Sequence, residues 1–260
     1  MIKLTINLVN DNNFTRNIVI KEVLALLQLS ESYYEVYKIH DNKIEIETDN
    51  LDKVLKTLCR SVFIKSVVVD NREIIYGRGF TVNRVPLQRV DTASAPLEPV
   101  VSRLLINLAQ VQEGSRVLDP FCGSGGILSE ARMCGAYVVC GDLVFRYVKN
   151  SLRNLDKFMS DFYVADSAQL CLRQCTFDVI VCDPPYSRLS VIDRDIDILY
   201  LEFLKESYRV LKDGGRLAIS TICTLPIEDY ANEVGFEVEC VGYQYVNSSL
   251  TRKIVLLRKV

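Results

Sequence analysis

The sequence predicts an α/β protein in which an open, doubly wound sheet follows a small α+β unit, and three observations carry that prediction. Residues 116–122 read as a short apolar strand running into Gly123-Ser124-Gly125-Gly126 and then a helical pattern over 127–134. Further apolar strands at 137–140, 162–165 and 177–182 each lead to an acid, Asp142, Asp166 and Asp183. Residues 3–69 give the order βαββαβ, that of a ferredoxin-like unit.

The elements of the first unit follow in order. Residues 3–9 alternate as a strand, 17–28 carry a helical period, and 33–39 with 43–48 form a hairpin around Asp41-Asn42. A second helix spans 51–59 and a last strand 62–69. This stretch offers no phosphate loop and no paired acids, so residues 1–70 read as a binding or positioning module. Residues 71–95 read as a linker, and 96–260 as the chemical domain.

In that domain a helix over 100–109 precedes the first strand. After the strand at 177–182, the pattern at 198–211 is helical and stops at Lys212-Asp213-Gly214-Gly215, whose glycines suit a helix C-terminus. Residues 216–221 form the fifth strand, and Pro226 opens a helix to 234. Residues 236–245 and 253–258 close as an antiparallel pair around Asn247-Ser248-Ser249.

The chemistry concentrates in Asp183-Pro184-Pro185-Tyr186. Prolines cannot continue a sheet ladder, so the chain leaves the sheet at Asp183, at the strand's carboxyl end, where open α/β sheets bind ligands. A carboxylate, rigid prolines and an aromatic ring suit a planar base that bears an amine. The amine's lone pair is delocalised into the ring, so an acceptor must take its hydrogens as the electrophile approaches. Asp183 and the Pro184 carbonyl supply acceptors, and Tyr186 supplies a stacking face. Asp142 stands about 20 residues beyond the glycine loop, placed for ribose hydroxyls of either a nicotinamide cofactor or S-adenosyl-L-methionine. Asp166-Ser167 suits an adenine amine. Acids at four successive strand ends, Asp119 included, favour S-adenosyl-L-methionine, although Asp142 and Asp166 would also serve as helix N-caps.

Asp119-Pro120-Phe121-Cys122-Gly123-Ser124-Gly125-Gly126 together with Asp183-Pro184-Pro185-Tyr186 resembles the archaeal and eukaryotic tRNA (guanine(10)-N2)-methyltransferases. The likeness extends to Pro96-Leu97-Glu98-Pro99 and to Ser248-Ser249-Leu250-Thr251-Arg252. It implies a Rossmann-like, seven-strand class I methyltransferase domain. Asp119, Phe121, Cys122 and Gly123, Ser124, Gly125 and Gly126 would cradle the methionine part of S-adenosyl-L-methionine. Asp142 with Leu143 would hold the ribose, and Asp166 with Ser167 the adenine. Asp183 would contact the guanine N2 amine, flanked by Pro184 and Pro185, with Tyr186 stacking. Ser249, Thr251 and Arg252 would meet RNA. Two positions depart from the family pattern: Ser187 where glycine is usual, and Asn247 where histidine is usual. The tetrapeptide also serves adenine-N6 and cytosine-N4 methyltransferases of DNA or RNA, and a non-catalytic RNA-binding protein could keep the same fold.

Net charge is −2, so phosphate attraction must come from local basic segments. Arg72, Arg78, Arg84 and Arg89, interleaved with Tyr76 and Phe80, are one such segment, and Arg252, Lys253, Arg258 and Lys259 the other. Nine cysteines without a Cys-x-x-Cys pair, and the single His40, argue against a metal site, and reduced buried thiols are the expectation. No apolar stretch approaches the roughly 20 residues that span a bilayer, and the N-terminus lacks a signal-peptide layout, so a cytoplasmic protein is expected. The related enzymes place a THUMP domain before the catalytic domain, but about twenty-five residues separate Val69 from Pro96, against the roughly 50 a small domain needs. Either the tRNA ruler has been lost or a partner supplies it. The resemblance implies tRNA as one partner and, because related enzymes use one, a small zinc-ribbon activator protein as another.

Overall fold

The computed structural model describes residues 1–76, 97–155, 157–186 and 195–260. It divides into two compact units, Met1–Val85 and Pro86–Val260.

In the first unit β1 (Ile2–Leu8), α1 (Arg16–Leu29), β2 (Tyr34–His40), β3 (Lys43–Thr48), α2 (Leu51–Leu58), β4 (Ile64–Val69) and β5 (Arg72–Ile75) build one sheet in the order β2-β3-β1-β4-β5. The first four strands have the ferredoxin-like order. Alternation places Ile44, Ile46 and Thr48 of β3 inward, against Ile18 and Leu26 of α1 and Val54 of α2 in the core. Asn50 caps α2 by accepting the Lys53 N–H at 3.1 Å. Strand β5 corrects the expected linker: Asp70 and Asn71 both adopt positive φ, a hairpin turn that folds Arg72 back beside Val69. Sequence alternation is weak over these four exposed residues, which is why they read as linker.

The second unit holds α3 (Pro99–Leu108), β6 (Arg116–Asp119), α4 (Gly126–Met133), β7 (Tyr137–Asp142), α5 (Phe145–Asn154), β8 (Ser160–Val164), β9 (Phe177–Cys182), α6 (Ile196–Val210), β10 (Leu211–Ile222), α7 (Ile227–Val234), β11 (Phe236–Asn247) and β12 (Leu250–Lys259). Its sheet runs β11-β12-β10-β9-β6-β7-β8. Strands β6 to β10 pair in parallel, and β12 inserts antiparallel between β10 and β11. The chain winds outward through β6, β7 and β8, then returns to lay β9 against the other side of β6. That reversal opens a crevice at the carboxyl ends of β6 and β9. Strand β10 starts earlier than its sequence suggested, because Leu211 already pairs with Phe177 before a register shift that ends at Arg216. A buried cluster including Leu118, Ile180, Phe203, Leu217 and Val255 fixes the strands under the crevice. Behind it, the guanidinium of Arg103 on α3 meets the carboxylate of Glu130 on α4 at 2.6 Å, both buried.

Candidate active site

The glycine loop leaves β6 at Asp119 and enters α4 through Gly125, whose left-handed φ of 84° makes the turn. A side chain there would also crowd Leu155 at 3.2 Å. Two hydrogen bonds tie the loop to β7: the Cys122 N–H donates to the Gly141 carbonyl at 2.9 Å, and the Gly123 N–H to Asp142 Oδ2 at 3.1 Å. Asp142 Oδ1 accepts the Val144 N–H at 2.9 Å, so this acid organises both the loop and the turn through exposed Leu143. Asn154 Nδ2 donates to the Ser124 carbonyl, and Phe121 packs edge-on against Phe203 with ring centres 5.1 Å apart.

Cys122 and Cys140 form a disulfide that joins the loop to β7, their Cα atoms 5.6 Å apart. This corrects the expectation of reduced buried thiols, as does the exposure of Cys59, Cys171 and Cys175. The pairing was invisible in sequence because it depends on β6 and β7 lying side by side.

Asp183 sits where β9 ends, and its Oδ1 accepts from Ser220 Oγ of β10 at 2.7 Å. Pro184 is buried, and half-buried Tyr186 packs on the core cluster. Burial pushes the Asp183 carboxyl up to about 6, with Ser220 and Arg252 pulling the other way. Burial raises Asp119 well above the usual carboxylate range, and the Asp142 and Asp183 charges add to this. Asp142 is raised by burial against three backbone N–H donors. Two of the four predicted acids, Asp142 and Asp183, thus act on a third, Asp119. Asp166 Oδ1 accepts the Ala168 N–H at 2.9 Å, the turn-capping arrangement, with Ser167 buried beside it. Tyr163 covers Gly141 so closely that an added Cβ would meet its ring at 2.2 Å.

The C-terminal basic segment is largely not a phosphate-facing patch. Arg252, Lys253 and Lys259 are buried, and only Arg258 among those four is exposed. Lys253 binds Glu228 at 2.8 Å, and Lys259 donates to the Leu211 carbonyl at 2.9 Å. The physical reason is topology: β12 is an interior strand, covered on both edges by β10 and β11. Thr251 is half-buried and its carbonyl accepts the Cys223 N–H, whereas Ser249 is exposed and bonded to Asn247. Arg78, Arg84, Arg89, Pro96 and Ser187 lie outside the described residues.

Residues 86–254 match the family described as RMKL-like, methyltransferase domain. The chain belongs to that family. The methyltransferase is 31% identical to the tRNA (guanine(10)-N2)-dimethyltransferase of Methanothermobacter thermautotrophicus over 76% of this chain and 61% of the relative. It is 29% identical to the enzyme of the same name from Pyrococcus abyssi, over 84% of this chain and 66% of that one. The chain therefore spans 61% and 66% of the lengths of these two relatives. The crystal structure of TrmN from Thermus thermophilus matches 62% of this chain and 49% of its own, with a TM-score of 0.52 and 25% identity. The cofactor of the methyltransferase domain is S-adenosyl-L-methionine. The crevice suits it: Asp119, Asp142 and Asp183 crowd negative charge that a ligand with a sulfonium and an ammonium would offset. Space is open above Gly123, where a side chain would meet nothing within 4 Å.

Sequence reasoning missed Ser220, Gln244 and Tyr163. Ser220-Thr221, a polar pair inside an otherwise apolar strand pattern, was the available signal for the first.

Proposed function

We propose that the protein transfers a methyl group from S-adenosyl-L-methionine to the N2 amine of a guanosine in tRNA, at position ten. The observation that carries this reading is Asp183, a partly desolvated carboxylate held by Ser220 beside Tyr186, at the same sheet edge as the glycine loop. The names of the two archaeal relatives supply the acceptor. Bound in the crevice, the cofactor supplies an electrophilic methyl. Asp119, Phe121, Cys122 and Gly123 to Gly126 would hold its methionine part, Asp142 and Leu143 its ribose, and Asp166 and Ser167 its adenine. Asp183 and the Pro184 carbonyl accept the amine hydrogens, Pro185 stiffens the loop, and Tyr186 stacks on the base.

Replacing Asp142 by Ala is expected to weaken cofactor binding about a hundredfold, on the order of 3 kcal/mol, through two lost charge-assisted hydrogen bonds. Unchanged calorimetric affinity in a folded variant would remove the ribose assignment.

A cytoplasmic location goes with a tRNA substrate, and among the described residues no helix is long and apolar enough to cross a membrane. We place the small zinc-ribbon activator on β8, the strand at the sheet edge, where Val164 is 47% exposed and Phe158, in the turn that leads into the strand, is 92% exposed. One assay tests substrate and partner: unmodified tRNA with labelled cofactor, with and without the activator, followed by nucleoside analysis. N2-methylated guanosine, formed faster with the activator, is expected. Methylated adenosine or cytidine would overturn the substrate, and an unchanged rate would overturn the partner.

A further inference from the structure

We infer that Arg252 is a positioning residue of the methyl-transfer site: its guanidinium, clamped by Gln244, holds the Tyr186 hydroxyl and places a cation near the carboxylate of Asp183. The inference rests on the proposed role of Asp183 as acceptor.

Register brings these groups together. On β12 Arg252 lies opposite Gln244 of β11 and Ile222 of β10, while Ile254, two residues on, lies opposite Ser220. Side chains two apart share a sheet face, so Ser220, Arg252 and Gln244 line one surface. Asp183 follows Cys182, which pairs with Ile219 of β10, so it emerges beside that surface. Arg252 Nη1 donates to Gln244 Oε1, and Gln244 Nε2 donates to Glu98 Oε2 at 3.4 Å, which anchors the clamp at the start of α3. The Tyr186 hydroxyl lies within electrostatic reach of the same guanidinium.

Arg252 and Gln244 are 6% and 4% exposed, so neither presents an open surface to phosphate. A planar guanidinium with several fixed donors suits this bridging of an amide and a phenol better than a lysine would. The groups that act at or around Asp183 are Asp119 from β6, Cys182 from its own strand, Ser220 from β10, Tyr186, Tyr200 from α6, and Arg252. Arg252 is the cation among them, within the described residues. With Ser220 it works against the burial that raises the acceptor carboxyl.

The test compares Arg252→Met, Arg252→Lys and Gln244→Leu in the full chain, using in-vitro-transcribed tRNA. Arg252→Met should lower kcat roughly tenfold to a hundredfold through misplacement of Tyr186, with RNA KM and cofactor affinity near wild type. It should also move the acid limb of kcat/KM up by about one pH unit, as Asp183 loses its neighbouring cation. Arg252→Lys should restore the limb and only part of kcat. A raised RNA KM with kcat and the acid limb unchanged would overturn the inference and return Arg252 to RNA binding. If Arg252→Met loses cofactor binding and so fails to fold, Gln244→Leu decides. Lower kcat with an unmoved limb supports the clamp, and wild-type kcat refutes it. Wild-type enzyme that methylates a base other than guanine would defeat the substrate reading alone, and the same comparisons on that base would still decide the role of Arg252.

Discussion

Asp183→Ala is expected to lower the rate of methyl transfer by about 10²–10⁴-fold or more while leaving cofactor affinity near wild type. In the proposed site the carboxylate would face the amine, and its removal would leave the Pro184 carbonyl as the remaining acceptor. The same group sets a pH dependence. Its carboxyl stands near 6 through burial, and only the ionised form can take up the proton that the amine loses on methylation. The value of kcat/KM should therefore rise as pH increases through about 6 and level off above it. In Tyr186→Ala the rate should fall while this acid limb stays near its place. A retained rate in Asp183→Ala, or a profile flat from pH 5 to 8, would contradict the acceptor role.

Glu130→Leu should destabilise the second unit by about 3–5 kcal/mol, because it strands the buried guanidinium of Arg103 without its counter-charge. Replacing both residues with apolar ones of similar volume should recover most of that loss, since desolvating two charges already costs nearly what their attraction returns. Urea unfolding of the single and double variants measures both. A single variant within about 0.5 kcal/mol of wild type, the range of ordinary surface substitutions, would show that solvent reaches Arg103 after all.

The legible parts of this sequence were those in which local pattern and final environment agree. The strand at 177–182 is apolar except at Asp178, because its other five residues are buried, and the prolines after Asp183 mark where it ends. The glycine loop declares itself because its turn needs a left-handed residue at Gly125. What sequence could not convey was lateral order. Lys253 and Arg252 read as exposed because charges usually are, yet the insertion of β12 between β10 and β11 buries them among Glu228, the Leu225 carbonyl and Gln244. Cys122 and Cys140 carry no local sign of pairing, since they meet only when β7 lies beside β6. The four residues of β5 were lost for a simpler reason: a short, exposed edge strand has no buried face to imprint on the sequence.

The place of β12 in the sheet also orders events on the ribosome. Among the described residues, β11 has no neighbour in the sheet except β12, and β10 lacks one of its two until residues 250–259 have been made. During translation, every acid of the crevice and the whole glycine loop emerge before Arg252 and the apolar stretch Ile254–Leu257, whose side chains are fully buried in the finished sheet. A nascent chain arrested before Leu250 would hold β10 with an open edge, exposed to pairing with other chains. Synthesis thus withholds the complete face around Asp183 until β12 slides into its slot.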